Sequence, residues 1–150
     1  MTTADAVADH LIALAHQRGE PINDMQLQKL LYYAQAWHLA LYDEPLFPEK
    51  FQAWSTGPVI PDLYWRNDQH GNQPLPLPCA VPELPARTLE FLDELSGRYF
   101  GLSMWDLHFM VVREKPYLNA RAGVDLHEPC TAEIDEGDMR SYFRELAEAA

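Results

Sequence analysis

Histidine and cysteine are the residue types in this chain that could hold a metal ion or attack a substrate. His10 and His16 lie six positions apart, whereas two ligands on one helical face need a spacing of three or four. His127 and Cys130 are three positions apart, but no second local pair accompanies them to complete a zinc site. Cys79 stands among prolines without a neighbouring cation that would favour its thiolate. These spacings predict neither a metal site nor a cysteine nucleophile.

Acid–base catalysis has a second set of candidate residues. His38 lies in the most apolar stretch of the chain, where a packed histidine is the expected role. The segment 125–148 holds eight acidic residues against two arginines, which is typical of a solvated surface. A glycine-rich phosphate loop and the Gly-x-Ser-x-Gly and His-Glu-x-x-His motifs are absent from the sequence. We therefore predict a protein that is not an enzyme and has no cofactor. A hydrolase or metal enzyme that uses His38, Asp106, His108 or His127 is retained as a remote alternative.

The charge balance limits the partners that the protein can have. The formal net charge is −12, from 11 Lys and Arg against 23 Asp and Glu. Proteins that bind nucleic acid need a basic face to neutralise phosphates, so we expect no direct nucleic-acid binding. The same negative field repels an anionic membrane and favours a basic protein partner. No apolar run approaches the roughly 18 residues of a membrane span, and the first ten residues do not resemble a signal peptide, so we expect a cytoplasmic location.

Length and patterning predict the elements that must position any functional residue. A chain of 150 residues with 47% hydrophobic residues is expected to form a single domain, 1–150. The strongest pattern begins at the capping pair Asn23 and Gln26 and predicts a long helix. Its apolar positions surround the helix almost completely, which indicates a buried central helix. They are Leu27, Leu30, Leu31, Tyr32, Tyr33, Ala34, Trp37, His38, Leu39 and Leu41.

Further helices are predicted from capping pairs, prolines and helical spacing. Thr2 and Asp5 are expected to open the first of them, which Gly19 and Pro21 end. The third long helix should cover about 86–100, with Leu89, Leu92, Leu95 and Tyr99 facing inward. The other expected helices are 62–66 after Pro61, one from the pair Ser103 and Asp106 to before Pro116, 117–121, and one from Asp135 to about Glu148.

Extended structure is expected in two places. The segment 46–54 is patterned as an extended stretch that could form one arm of a short β-hairpin. Residues 71–85 carry five prolines and several apolar residues, which predicts a semi-rigid connection that packs along the surface. The predicted fold is therefore mainly α: a compact helical domain around a buried central helix, with a small extended or β-hairpin element.

Aromatic residues cluster around one turn signal. Trp54 and Tyr64 bracket Gly57-Pro58, and Trp65 follows directly. Core packing explains some of these rings, but tryptophan and tyrosine are also the leading residues at binding hot spots. Periodicity alone leaves both roles open.

The most specific motif of the sequence covers residues 27–39, LQKLLYYAQAWHL, in the predicted central helix. This segment resembles the signature helix of the Panacea-domain family, the SocA/GepA-like phage-associated proteins and antitoxins. The pattern continues in the same order and spacing through Leu46-Phe47, Ala53-Trp54 and the segment 57–64, GPVIPDLY. The segment 114–121 is similar but looser, with Tyr117 in the place of the usual tryptophan.

The resemblance implies an α-helical antitoxin that neutralises a cognate protein toxin by direct contact, in a two-gene toxin–antitoxin system. One branch of the family implies the alternative of an adaptor that delivers its toxin to the ClpXP protease. On this basis we expect the partner-binding surface to be Trp54, Gly57, Pro58, Tyr64 and Trp65. Tyr33 and Trp37 are expected to support that surface from beneath.

Overall fold

Seven α-helices and one two-stranded hairpin make up residues 1–149, the part of the chain that the computed structural model describes. The helices are α1 (Ala4–Gln17), α2 (Asp24–Tyr42), α3 (Pro61–Asn67), α4 (Ala86–Tyr99), α5 (Met104–Val111), α6 (Lys115–Arg121) and α7 (Glu136–Ala149). The strands are β1 (Gln52–Trp54) and β2 (Gly57–Val59), and a short 3-10 turn, Asp68–His70, follows α3. The mainly α fold with a small hairpin is confirmed.

Helix α2 is the centre of the fold, as its apolar pattern predicts. Asn23 and Gln26 form the expected capping box, with Asn23 Oδ1 accepting from the Gln26 amide at 2.9 Å. Helices α1, α4, α5 and α7 and strand β2 all pack against α2. Tyr32 and Tyr33 are fully buried between them. The helix is therefore enclosed by the fold along most of its length.

Local capping decides where several other helices begin. The cap of α1 is Thr3, whose Oγ1 accepts from the Ala6 amide at 3.2 Å, so the expectation of Thr2 was wrong by one residue. The predicted capping box of Ser103 with Asp106 opens α5. Asp135 accepts the Asp138 amide at 2.9 Å, as expected for the start of α7.

The inward face of α4 differs from the prediction at one position. Leu92, Leu95 and Tyr99 are buried as expected, but Leu89 is 37% exposed. The buried face is rotated toward Phe91, which lies against His38 on α2. Leu89 therefore lies outside the buried face of α4, toward solvent.

The hairpin is antiparallel, with Gln52 opposite Val59 and Trp54 opposite Gly57, and Ser55–Thr56 as its turn. The other edge of β1 receives the loop before α7: the Ala53 amide donates to the Ala132 carbonyl at 2.8 Å. Strand β1 occupies only the end of the predicted extended stretch 46–54, because residues 46–51 form no strand, and β2 lies beyond that stretch.

The proline-rich segment 71–85 lies on the surface, and hydrogen bonds near its start connect it to the rest of the fold. Leu75 is buried, and its amide donates to the Ile22 carbonyl at 2.8 Å. Leu77 and Val81 are exposed, and Leu84 is half-buried. Within the described part of the chain, no helix combines the length and hydrophobicity needed to cross a membrane.

Candidate functional site

Three of the predicted site residues form a continuous row of rings beside the hairpin. The ring centroids of Trp54 and Tyr64 are 5.0 Å apart, and those of Tyr64 and Trp65 are 5.1 Å apart, both in edge-to-face geometry. Trp65 is 67% exposed, whereas Trp54 and Tyr64 are half-buried. We call these three residues the hairpin aromatic row. It offers a large apolar surface to solvent.

Gly57 and Pro58 lie beneath this surface rather than on it, because both are buried. Gly57 has a φ of +116°, a conformation that residues with a Cβ rarely adopt. A Cβ at this position would lie 3.1 Å from Cε of Lys29. Glycine therefore allows the hairpin to approach α2 closely.

A buried lysine holds the turn of the hairpin. Lys29 is 1% exposed, and its Nζ donates to the Thr56 carbonyl at 2.9 Å. Burial lowers the pKa of Lys29 to about 8, and the nearby Asp24 carboxylate opposes that shift. Lys29 belongs to no motif that indicates a functional site, although a lysine in an apolar helix is a signal that it has a specific partner.

The opposite side of the hairpin is held by α6. The Tyr117 hydroxyl donates to the Trp54 carbonyl at 2.5 Å, and Arg121 Nη1 donates to the Ala53 carbonyl at 2.8 Å. Both side chains are buried. Because β1 is thus bonded from α6 while the turn is bonded from α2, the backbone of Trp54 is fixed from two directions.

Helix α3 is anchored to α2 by buried amide and carboxylate groups. Asn67 Nδ2 donates to Asp24 Oδ1 at 2.8 Å, and the Ile60 amide donates to Gln28 Oε1 at 2.9 Å. Burial raises the pKa of Asp24, while the bond from Asn67 opposes that shift. These bonds fix both ends of α3 and so place Tyr64 against Trp54.

Tyr33 and Trp37 are not part of the hairpin aromatic row. Tyr33 stacks on Tyr99 with centroids 4.5 Å apart, and its hydroxyl donates to Glu114 at 3.1 Å. Trp37 packs edge-on against Phe143 at 5.1 Å, and its Nε1 donates to the Tyr99 hydroxyl at 2.8 Å. These partners lie on α4 and α7 and are not members of the hairpin aromatic row.

Glu114 is the buried acid of this second aromatic region. Burial raises the pKa of Glu114 to about 7, and the hydrogen bond from Tyr33 opposes that shift. The acid lies between α5 and α6, where its backbone carbonyl accepts the Leu118 amide at 3.1 Å. Glu114 and Tyr33 thus form a polar contact inside an otherwise aromatic core.

The residues of the remote enzyme alternative lie in three parts of the fold: His38 on α2, Asp106 and His108 on α5, and His127 in a loop. His38 Nδ1 is 2.7 Å from the Glu44 carbonyl, and Asp106 caps α5. His108 Nδ1 is 3.3 Å from the Thr56 carbonyl, and His127 lies in the loop after α6. Across residues 1–149, no three His, Cys, Asp or Glu side chains group in a way that could hold a metal ion.

Comparison with known proteins identifies relatives of this chain. The family model described as antitoxin SocA-like, Panacea domain, matches residues 27–117. The antitoxin SocA of Caulobacter vibrioides (strain NA1000 / CB15N) is 43% identical over 61 residues, which cover 41% of this chain. The match spans 32% of that relative, about a third of its length. No solved structure matches significantly. Because the family model covers well over half of the 150 residues and includes most of α2 and the whole hairpin, the chain belongs to the antitoxin SocA-like, Panacea-domain family.

Proposed function

We propose that the protein is an antitoxin that neutralises a cognate protein toxin by direct binding, in a two-gene toxin–antitoxin system. The observation that carries the proposal is the exposed hairpin aromatic row on a doubly anchored hairpin. Tyrosine and tryptophan provide a large contact area with few rotatable bonds, which makes them effective anchors in protein interfaces.

Rigidity of the hairpin favours tight binding. A surface that is already ordered loses little conformational entropy when a partner docks. The bonds from Lys29 and Tyr117 to consecutive parts of the hairpin provide this order. Holding a lethal partner at nanomolar concentration requires about −12 kcal/mol, so a preorganised aromatic centre is the kind of surface that the function needs.

The charge of the chain favours a basic toxin. A net charge of −12 accelerates association with a basic partner. In this proposal the protein acts in the cytoplasm as a single domain, by binding rather than by catalysis. Its direct contacts are with the toxin and not with nucleic acid or a membrane.

Co-expression with the protein encoded by the neighbouring gene tests the proposal. We expect that protein to stop growth when alone, and the antitoxin to restore growth and co-purify with it. Trp65→Ala should abolish rescue without altering the melting temperature, since Trp65 is 67% exposed. Leu41→Ala is the matched control, because Leu41 is 56% exposed and lies twelve residues beyond Lys29 on α2, about 18 Å along the helix axis. Full rescue by Trp65→Ala would show that the surface is misplaced.

The same cells separate neutralisation by binding from delivery to the ClpXP protease. A toxin that accumulates in a stable complex supports direct neutralisation. A toxin that disappears only when both the antitoxin and ClpXP are present would instead support the adaptor alternative.

A further inference from the structure

A second exposed aromatic surface lies on α5. Trp105 and Phe109 are four residues apart and therefore share one face of the helix. They are 54% and 53% exposed, and their ring centroids are 6.4 Å apart. The buried side of α5 is formed by Leu107 and Val111. Packing within this chain thus accounts for the opposite face of α5 and not for the two aromatic rings.

This surface is continuous with the hairpin. The ring of His108 lies edge-on to Trp105 at 6.1 Å and to Phe109 at 5.6 Å. His108 Nδ1 lies 3.3 Å from the carbonyl of Thr56, the same oxygen that accepts from Lys29. The aromatic face of α5 therefore reaches the hairpin turn through His108, and Trp54 of the hairpin aromatic row is two residues before Thr56 in the same hairpin.

Most of the 11 cations have a partner within the described residues. Six of them form ion pairs within residues 1–149: Arg18, Lys50, Arg66, Arg87, Arg140 and Arg144. The buried side chains of Lys29 and Arg121 donate hydrogen bonds to backbone carbonyl oxygens, and Arg98 lies over the Trp37 ring. The other two, Arg113 and Lys115, are exposed and have no ion pair within the described residues.

Arg113 and Lys115 lie at the end of α5. Arg113 is four residues beyond Phe109 and lies in the turn that follows α5, where its amide donates to the Met110 carbonyl at 3.3 Å. Lys115 begins α6. In a chain of net charge −12, these two unpaired cations, which follow the exposed aromatic face of α5 in sequence, are groups that can attract a carboxylate.

We propose that Trp105, Phe109 and Arg113 form a second part of the toxin-binding surface. They would bind a toxin segment that presents apolar side chains to the two rings and a carboxylate to Arg113 or Lys115. The inference rests on the proposed function and adds to it: the toxin is basic overall but carries an acidic group next to its apolar contact. A second copy of this chain is a poorer occupant, because two bodies of charge −12 repel each other.

The test measures the affinity of the full chain for the toxin encoded by the neighbouring gene. The double variant Trp105→Ala/Phe109→Ala should weaken binding at least tenfold, with an unchanged melting temperature. Arg113→Glu should weaken binding strongly at low salt and less at high salt, because salt screens exposed charges. Arg87→Glu is the matched charge control, since Arg87 is also exposed and pairs only with Glu44 at 3.8 Å among the described residues.

The outcomes distinguish this inference from the proposed function. If Trp65→Ala weakens binding while the α5 variants bind like the wild type, the inference fails and the proposed function stands. If the wild-type chain forms no complex with the toxin, both fail. If the wild type alone sediments as a dimer that Trp105→Ala converts to a monomer, the occupant is a second copy and the inference is overturned.

Discussion

Nζ of Lys29 lies 2.9 Å from the carbonyl oxygen of Thr56, so a buried ammonium on α2 holds the turn of the β-hairpin. Burying a charge is costly unless hydrogen bonds compensate for lost water. The Asp24 carboxylate on the same helix provides only part of that compensation. The hydrogen bond from Lys29 to the Thr56 carbonyl therefore offsets part of the cost of burying this side chain.

Stability should rise between pH 8 and pH 10, and Lys29 should cause the rise. Its pKa is lowered to about 8 in the folded protein from 10.5, so the unfolded chain binds more protons in this range. The free energy of unfolding should then increase by up to about 1.4 kcal/mol per pH unit. Above pH 10 the buried tyrosines Tyr32 and Tyr99 act in the opposite direction. Their pKa values are raised in the folded protein, so the unfolded chain loses these protons first and the free energy of unfolding falls. Urea unfolding at pH 7.5 and 9.5 measures the effect, and Lys29→Met should remove it. An equal rise in that variant would contradict the assignment to Lys29.

Gly57→Ala should destabilise the protein by more than about 1 kcal/mol. The substitution places a Cβ at a φ of +116° and 3.1 Å from Lys29 Cε. Gly97→Ala is the control: it lies within α4 with no atom within 4 Å of the added Cβ, and alanine favours a helix by about 1 kcal/mol. Thermal unfolding of both variants should therefore show shifts of opposite sign. If Gly57→Ala left the melting temperature unchanged, the hairpin would have to be able to move away from α2.

Glu114→Gln should stabilise the protein at pH 8 and have little effect at pH 5. The pKa of Glu114 is raised to about 7 from 4.5, so its contribution to stability is full below pH 4.5 and is lost as the pH rises to 7. Glutamine stays neutral, and its side-chain oxygen can still accept the hydrogen bond from the Tyr33 hydroxyl. Unfolding in urea at the two pH values gives the comparison. A difference between variant and wild type that does not depend on pH would contradict the raised pKa.

Trp37→Ala should reduce stability and leave toxin binding intact. The change removes the packing on Phe143 and the hydrogen bond to Tyr99, which for a buried tryptophan costs about 3–5 kcal/mol. Trp37 is half-buried, so we expect the lower end of that range. Calorimetry measures the stability, and a binding assay well below the melting temperature tests function. Weak toxin binding by a folded Trp37→Ala protein would indicate that Trp37 is part of the partner-binding surface.

The sequence alone predicted most helix boundaries, because the interactions that set them are local. The capping boxes at Asn23 and Ser103 join residues three positions apart, and Pro61 begins α3 because it needs no amide partner there. Thr2 and Thr3 carry the same capping group at adjacent positions. The structure shows Thr3 as the cap, because its backbone is extended and its side chain accepts from the Ala6 amide. The aromatic content of the site, Trp54 with Tyr64 and Trp65, was also visible in the sequence.

Only the tertiary structure decided which residues these elements bring together. Because α2 is apolar on nearly all sides, its periodicity does not indicate which neighbour each side chain faces. Trp37 therefore turned out to face α4 and α7, and Lys29 to face a turn 27 residues away. The contact of Tyr117 with Trp54 spans 63 residues. Such contacts depend on how the helices pack, which propensity and spacing do not determine.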